Sequence, residues 1–192
     1  MANGATVLIA EDETIIRLDL RTQLEGAGYR VCAEAHTGEE AVELARTTQP
    51  DIVLMDVKMP AEFDGIEAAR RILLERSVPI LLLTAYSDTK LVERAGRAGV
   101  FAYLVKPFRA NELVPAIATA VARHQEMNAL RDEATTLADA LAARKSIERA
   151  KGLLMKHEDL TEGEAFARLR RASQVSRQPL KVIADTIVAA LD

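Results

Sequence analysis

The chain has 192 residues, enough for one large domain or a medium domain followed by a small one. It is 49% hydrophobic and 28% charged, which excludes a disordered chain. The net charge of -4 excludes a protein basic throughout, while leaving room for local basic patches. Cys32 is the only cysteine, so no intrachain disulfide can form and nothing demands an oxidising compartment. The opening "MANGATVLIAEDE" has neither the basic start nor the long apolar core of a secretory signal. No apolar run approaches the ~20 residues of a membrane helix. These features predict a cytoplasmic protein.

The first ~120 residues alternate two textures. "TVLIA" (6–10), "DIVLMD" (51–56), "PILLLTA" (79–85) and "FAYLV" (101–105) are short, nearly continuous apolar runs, as in parallel strands buried on both faces. "RVCAEA" (30–35) is a weaker fifth strand. Helical patterns lie between them at 14–26, 38–48, 65–75, 88–97 and from 110 onward. Gly26, Gly28 and Gly99 fall at helix stops, Asp88 and Asn111 near helix starts. Five strand–helix alternations predict an α/β doubly wound sheet with right-handed crossovers. Sites in such sheets form outside the carboxyl ends of the strands.

Beyond residue 110 the strand signal vanishes. Met127, Leu130, Ala134, Leu137 and Leu141 are spaced 3, 4, 3, 4, the pattern of a coiled-coil seam. The last 50 residues read as three helices. The first runs to about 156, the second follows a capping-box pattern at Thr161–Glu164, and the third follows Pro179.

The strand ends carry the chemistry. Strand one runs into Glu11 and Asp12, strand three ends at Asp56, strand four at Thr84 and strand five at Lys106. Neighbouring parallel strands bring these ends to one edge. Clustered carboxylates repel, and a divalent cation such as Mg²⁺ compensates them. Lys106 supplies a point charge for a phosphoryl group, Thr84 a hydroxyl, and Asp56 a nucleophilic carboxylate. Pro107 fixes the backbone direction of Lys106, and a Lys–Pro bond can be cis. A lone aspartate after a strand is more often a cap or turn residue. Four suitable groups at four strand ends are harder to dismiss.

"VLIAEDE", "DIVLMDVKMP…DGIE", "LLLTAY" and "AYLVKPF" resemble the receiver domain of two-component response regulators over residues 5–123. The resemblance implies a flavodoxin-like sheet of order 2-1-3-4-5, with Mg²⁺ bound by Glu11, Asp12, Asp56 and the backbone carbonyl of Lys58. It also implies that Asp56 is the phosphoacceptor, Lys106 the phosphate-binding lysine, and Thr84 and Tyr103 the switch pair. Two departures stand out. Glu11 occupies a place where Asp is commoner, and "MPAEFDG" is one residue longer than the usual loop, which puts its path and the dephosphorylation rate in question.

Between residues 144 and 181 there are ten basic and five acidic side chains, a local surplus of five positive charges. A basic helical module beside an acidic domain suits a phosphate-rich partner, although most basic helix faces are simply solvated. Gly152 interrupts a strong helix at a cost of about 1 kcal/mol. A helix–helix close contact accounts for it, as does the approach of a partner's backbone beside Lys151, and both can hold. "RKSIERAKGLLM" (144–155), "EAFARLRRAS" (164–173) and "LKVIA" (180–184) resemble the ANTAR domain, an RNA-binding antitermination module. That resemblance implies a three-helix unit that binds paired hairpins in messenger leaders. Arg144, Lys151, Gly152, Arg170 and Ser173 are the candidate RNA contacts, with Arg177 and Lys181 weaker.

The sequence therefore predicts a receiver at 1–123, a coiled-coil linker at 124–143 and an ANTAR-like unit at 144–192. The protein is expected to be non-enzymatic, phosphorylated by a sensor histidine kinase with Mg²⁺, and a homodimer on activation. The alternative is a helical protein-binding output controlled by a partner protein. A DNA-binding activator lacks support, because no recognition-helix pattern is present. A phosphohydrolase lacks its second aspartate, whose place Lys58 takes.

Overall fold

A computed structural model describes residues 4–60, 62–85, 89–100 and 102–191. The chain divides between Asn128 and Ala129 into two compact units.

The first unit holds β1 (Thr6–Ala10), α1 (Thr14–Gly26), β2 (Arg30–Ala35), α2 (Gly38–Thr48), β3 (Ile52–Asp56), α3 (Gly65–Glu75), β4 (Ile80–Thr84), α4 (Thr89–Ala98), β5 (Tyr103–Val105) and the start of α5 (Ala110–Glu158). The five strands are parallel, in the flavodoxin-like order β2-β1-β3-β4-β5. Side chains alternate between two cores with the period of two that a strand imposes. Leu8, Val53, Met55 and Leu82 pack with Ala41, Ala45, Ile66, Ala69, Ile72 and Ala95, which puts α2, α3 and α4 on one face. Val7, Ile9, Leu54, Leu81 and Leu83 pack with Leu20, Leu24, Leu113 and Ile117, which puts α1 and α5 on the other. Burial on both faces is why β1, β3 and β4 read as unbroken apolar runs.

Asp88 and Phe101 lie outside the described residues. Asn111 is the second residue of α5, whose entry is fixed by Glu112: its carboxylate accepts from the Arg109 N–H at 2.7 Å. Gly28 and Gly99 adopt φ of 87° and 88°, in the left-handed region where glycine carries no Cβ penalty.

In the second unit, Ala150 and Leu154 of α5 pack against Ala165 and Leu169 of α6 (Glu162–Ser176) and Ala184 of α7 (Leu180–Leu191). Thr161 caps α6 in a full capping box. Its hydroxyl oxygen accepts from the Glu164 N–H, and the Glu164 carboxylate accepts from the Thr161 N–H at 2.9 Å. The Thr161 hydroxyl, which donates to the Glu164 carboxylate at 2.6 Å, and then the Thr161 N–H hold the Glu164 carboxyl below its ordinary pKa. The cap's contribution is therefore complete above the ordinary glutamate value and fades as pH falls through the lowered one. Thr161→Ala is expected to destabilise α6 by about 1 kcal/mol, read as faster amide exchange through its first turns.

Residues 129–142 of α5 are exposed throughout, Leu137 at 64%. This long helix fits a coiled coil whose seam is open to solvent in a single chain. No helix among the described residues is long and apolar enough to cross a membrane.

Candidate functional site

The carboxyl ends of β1, β3 and β5 bring Glu11, Asp12, Asp56 and Lys106 together. Lys106 Nζ lies 2.5 Å from Glu11 Oε2 and 3.1 Å from Asp56 Oδ2. One oxygen each of Glu11, Asp12 and Asp56 lie within 4.8 Å of one another. Glu11 and Asp56 are buried; Asp12 is half-buried. Burial pushes the Asp56 carboxyl above its ordinary pKa, against the opposing charge of Lys106. It does the same to Glu11, against the Lys106 hydrogen bond and with the Asp56 charge adding to it. For Lys106, burial works against the charged form. The Glu11 hydrogen bond and the Asp56 charge outweigh it and hold the ammonium above the ordinary lysine value. Three carboxylates answered by one ammonium leave a surplus of two negative charges. That donor set fits a divalent cation with oxygen ligands.

The backbone secures these groups. The Lys106–Pro107 bond is cis. Lys106 N–H donates to the Thr84 carbonyl at 2.7 Å, placing β5's exit beside β4's. Thr84 is buried at the end of β4, whose Leu83 pairs with Asp56. The Lys58 N–H donates to the Asp56 carboxylate while the Lys58 side chain is exposed. Tyr103 is 43% exposed on edge strand β5, paired with Leu82 one step before Thr84's neighbour Leu83.

Arg17 is a positioning residue that motif reading misses. Its guanidinium is buried and donates to the Glu11 carbonyl at 2.7 Å, with Nε bound to Glu34 at 3.1 Å. It thereby holds the turn that presents Glu11 and Asp12. A signal was present: Arg17, Leu20 and Leu24 share the buried face of α1, and a charge at such a position needs partners.

The lengthened loop after β3 is tied down at several points. Glu62 N–H donates to Glu39 at 3.1 Å, and the Arg71 guanidinium lies 4.0 Å over the Phe63 ring. Asp64 caps α3 and pairs with Arg94 of α4 at 2.6 Å. Ala61 lies outside the described residues. An open groove of about 650 Å³ runs from Asp12 past Lys58 and Met59 to Lys90 and Arg94.

In the second unit the candidate contacts separate. Arg144, Gly152 and Arg170 are exposed. Lys151 is only 8% exposed, and its ammonium sits 2.6 Å from Glu162 and 3.0 Å from Glu148. It links α5 to the first turn of α6, so any role toward RNA requires those pairs to open. The Ser173 hydroxyl donates to the Gln178 carbonyl at 2.6 Å, bracing the turn where Arg177 takes a left-handed φ of 55°. Gly152 corrects an expectation. Among the described residues a Cβ there would meet nothing within 4 Å, so no helix–helix contact among them requires glycine.

Comparisons with known proteins bear on both units. The family model for the response regulator receiver domain matches residues 7–118, and the model for the ANTAR domain matches residues 135–188. The chain is 50% identical to transcriptional regulatory protein PdtaR of Mycobacterium tuberculosis over 185 residues, 96% of this chain and 90% of that protein. Over 115 residues it is 37% identical to chemotaxis protein CheY of Thermotoga maritima, covering 59% of this chain and 95% of that one. Among solved structures, the signal receiver domain of a modulated diguanylate cyclase from Desulfovibrio desulfuricans superposes with a TM-score of 0.60 at 36% identity. That match covers 65% of this chain and 98% of the other.

Proposed function

The chain belongs to the response regulators that join a receiver domain to an ANTAR domain, and from that membership we propose that it is a phosphorylation-controlled RNA-binding antiterminator. The observation that carries the proposal is a buried Asp56 within ion-pair reach of Lys106 and beside Glu11 and Asp12, in a chain ending in an ANTAR unit.

In this reading a sensor histidine kinase is the phosphoryl donor. The Asp56 carboxylate attacks phosphorus, the N–P bond of the donor phosphohistidine breaks, and its electron pair returns to the imidazole. Magnesium, held by Glu11, Asp12, Asp56 and the Lys58 carbonyl, would supply neutralisation of the negative oxygens. Lys106 moves from its shared position between Glu11 and Asp56 to the phosphoryl oxygens. The Thr84 hydroxyl donates to the same group, and Tyr103 turns inward behind it. Residues 1–123 act as receiver, 124–143 as coiled-coil linker and 144–192 as RNA-binding unit.

Two chains joined along Met127, Leu130, Ala134, Leu137 and Leu141 would present two ANTAR units to paired leader hairpins, and bivalency raises affinity without new contacts. Arg144 and Arg170 are exposed and available for phosphate contact, with Gly152 allowing backbone approach. Lys151 and Ser173 shape the surface that bears them.

The test is capture of cellular RNA on the purified full chain with Mg²⁺, with and without beryllofluoride. Leader hairpin pairs enriched only with the mimic support both halves of the reading. Enrichment in both states moves control to a partner protein, and enrichment in neither transfers the output to protein binding. On a captured hairpin, affinity is expected to fall steeply with salt. Arg144→Gln and Arg170→Gln should each lower the log–log salt slope by about 0.7 to 1.

A further inference from the structure

The turn between β1 and α1 is three residues long, Glu11 to Glu13, and its first two residues offer carboxylates to a cation. The last β1–β2 pair is Ala10 with Ala35, and beyond it the Glu11 N–H donates to the Ala35 carbonyl at 3.0 Å. Glu13 caps α1 without a side-chain hydrogen bond, so the usual anchor of a helix entry is missing. Arg17, one turn into the helix, anchors the turn through its carbonyls instead. Its Nη1 donates to the Glu11 carbonyl at 2.7 Å and reaches the Asp12 carbonyl at 3.4 Å. One nitrogen thus holds the backbone from which both carboxylates spring.

Arg17 can do this because its own position is fixed. Its side chain is buried, and its Nε lies 3.1 Å from Glu34 Oε2 on β2. The other Glu34 oxygen accepts from Arg21 Nη1 at 2.7 Å. A planar guanidinium bonded through both Nε and Nη1 has one orientation, whereas a lysine ammonium in its place would be a single mobile point charge. A chain of bonds therefore runs from edge strand β2, through Glu34 and Arg17, to the backbone of Glu11 and Asp12. Partners of this kind, one layer behind the ligands, orient those ligands and tune affinity.

How firmly this turn is held bears on which cation it suits. Mg²⁺ demands near-ideal octahedral geometry at about 2.0 to 2.1 Å, while Ca²⁺ takes oxygens at about 2.3 to 2.6 Å in flexible arrangements. A turn free to adjust serves Ca²⁺, and a turn held fast serves Mg²⁺. We propose that Arg17, held in place by Glu34, is a specificity-determining residue of the cation site: it fixes the turn bearing Glu11 and Asp12 and so shifts the site's preference toward Mg²⁺ over Ca²⁺. It acts through the backbone of the turn, as a positioning residue. The inference rests on the reading of Glu11, Asp12 and Asp56 as that site.

The test is calorimetric titration of the unphosphorylated full chain with magnesium chloride and, separately, calcium chloride, with circular dichroism to verify folding. The native chain is expected to bind Mg²⁺ saturably. Arg17→Met removes the bonds while keeping an unbranched chain. It should weaken Mg²⁺ binding about tenfold and Ca²⁺ binding less, so that the ratio of the two affinities falls about threefold or more. Glu34→Gln keeps an oxygen for Arg17 and removes only the charge, and should shift the ratio the same way by less. It carries the test should Arg17→Met fail to fold. Arg17→Lys retains the charge without the two-point grip and should not restore the ratio. Equal losses for both cations, or native affinity for both, in the folded variants overturns the proposal, as does a native ratio in Arg17→Lys. A native chain that binds neither cation overturns the reading of the site itself, and the inference with it.

Discussion

Asp56→Asn is expected to abolish phosphoryl uptake completely while leaving the receiver folded. Asp56 carries the nucleophilic oxygen in the proposed reaction, and an amide oxygen is far too weak a nucleophile to replace a carboxylate. The fold should tolerate the change. The Asp56 carboxyl is buried and already pushed toward its neutral form, so asparagine removes a charge that burial disfavours. Lys106 keeps Glu11 at 2.5 Å as its partner. The measurement is intact mass after incubation with a phosphoryl donor and Mg²⁺, with far-ultraviolet circular dichroism to verify folding. The native chain should gain one base-labile phosphoryl group and the variant none. Label retained by the folded variant would sink the assignment of Asp56, and RNA capture that still responds to a phosphoryl donor would sink the control mechanism.

The arrangement around Asp56 was legible because four strand ends each announce themselves. An apolar run stops at a charged or hydroxyl residue, and parallel pairing does the rest. β2 was fainter, since only Ala35 among its residues is fully buried. β5 lies at the sheet edge, and its Tyr103 and Val105 are partly in solvent although both belong to an apolar run. What pattern could not supply was partnership at a distance. Arg17 and Glu34 are 17 residues apart and meet only because α1 packs beside β2. Lys151 and Glu162 meet only because α6 folds back on α5. The ANTAR resemblance put Lys151 among the candidate RNA contacts, and packing holds its ammonium between Glu148 and Glu162. The surplus of positive charge across 144–181 remains, but its accessible part lies with residues such as Arg144 and Arg170.

The two glycines singled out by their surroundings should respond to alanine in opposite ways. A Cβ at Gly65 would fall 1.8 Å from the Asp56 carbonyl oxygen and 3.1 Å from the Met55 side chain. The first of these is backbone at the end of a fully buried strand, so it cannot rotate aside. Gly65 N–H also donates to the Val57 carbonyl at 3.0 Å, fixing the first turn of α3 against β3. Gly65→Ala must push α3 outward, and a loss of about 3 kcal/mol is expected, the upper end for overpacking. It should appear as a lower denaturation midpoint and weakened amide protection in β3. Gly152 lies in the interior of α5 with open space around its missing side chain. Gly152→Ala should stabilise that helix by about 1 kcal/mol, since it meets no steric opposition and reduces the chain's unfolded freedom. If RNA backbone approaches α5 at this point, the same methyl group should weaken RNA binding even as stability rises. Stability and affinity moving apart would mark position 152 as a contact. A stabilised variant with native RNA affinity would remove Gly152 from the interface and leave the exposed arginines to carry it.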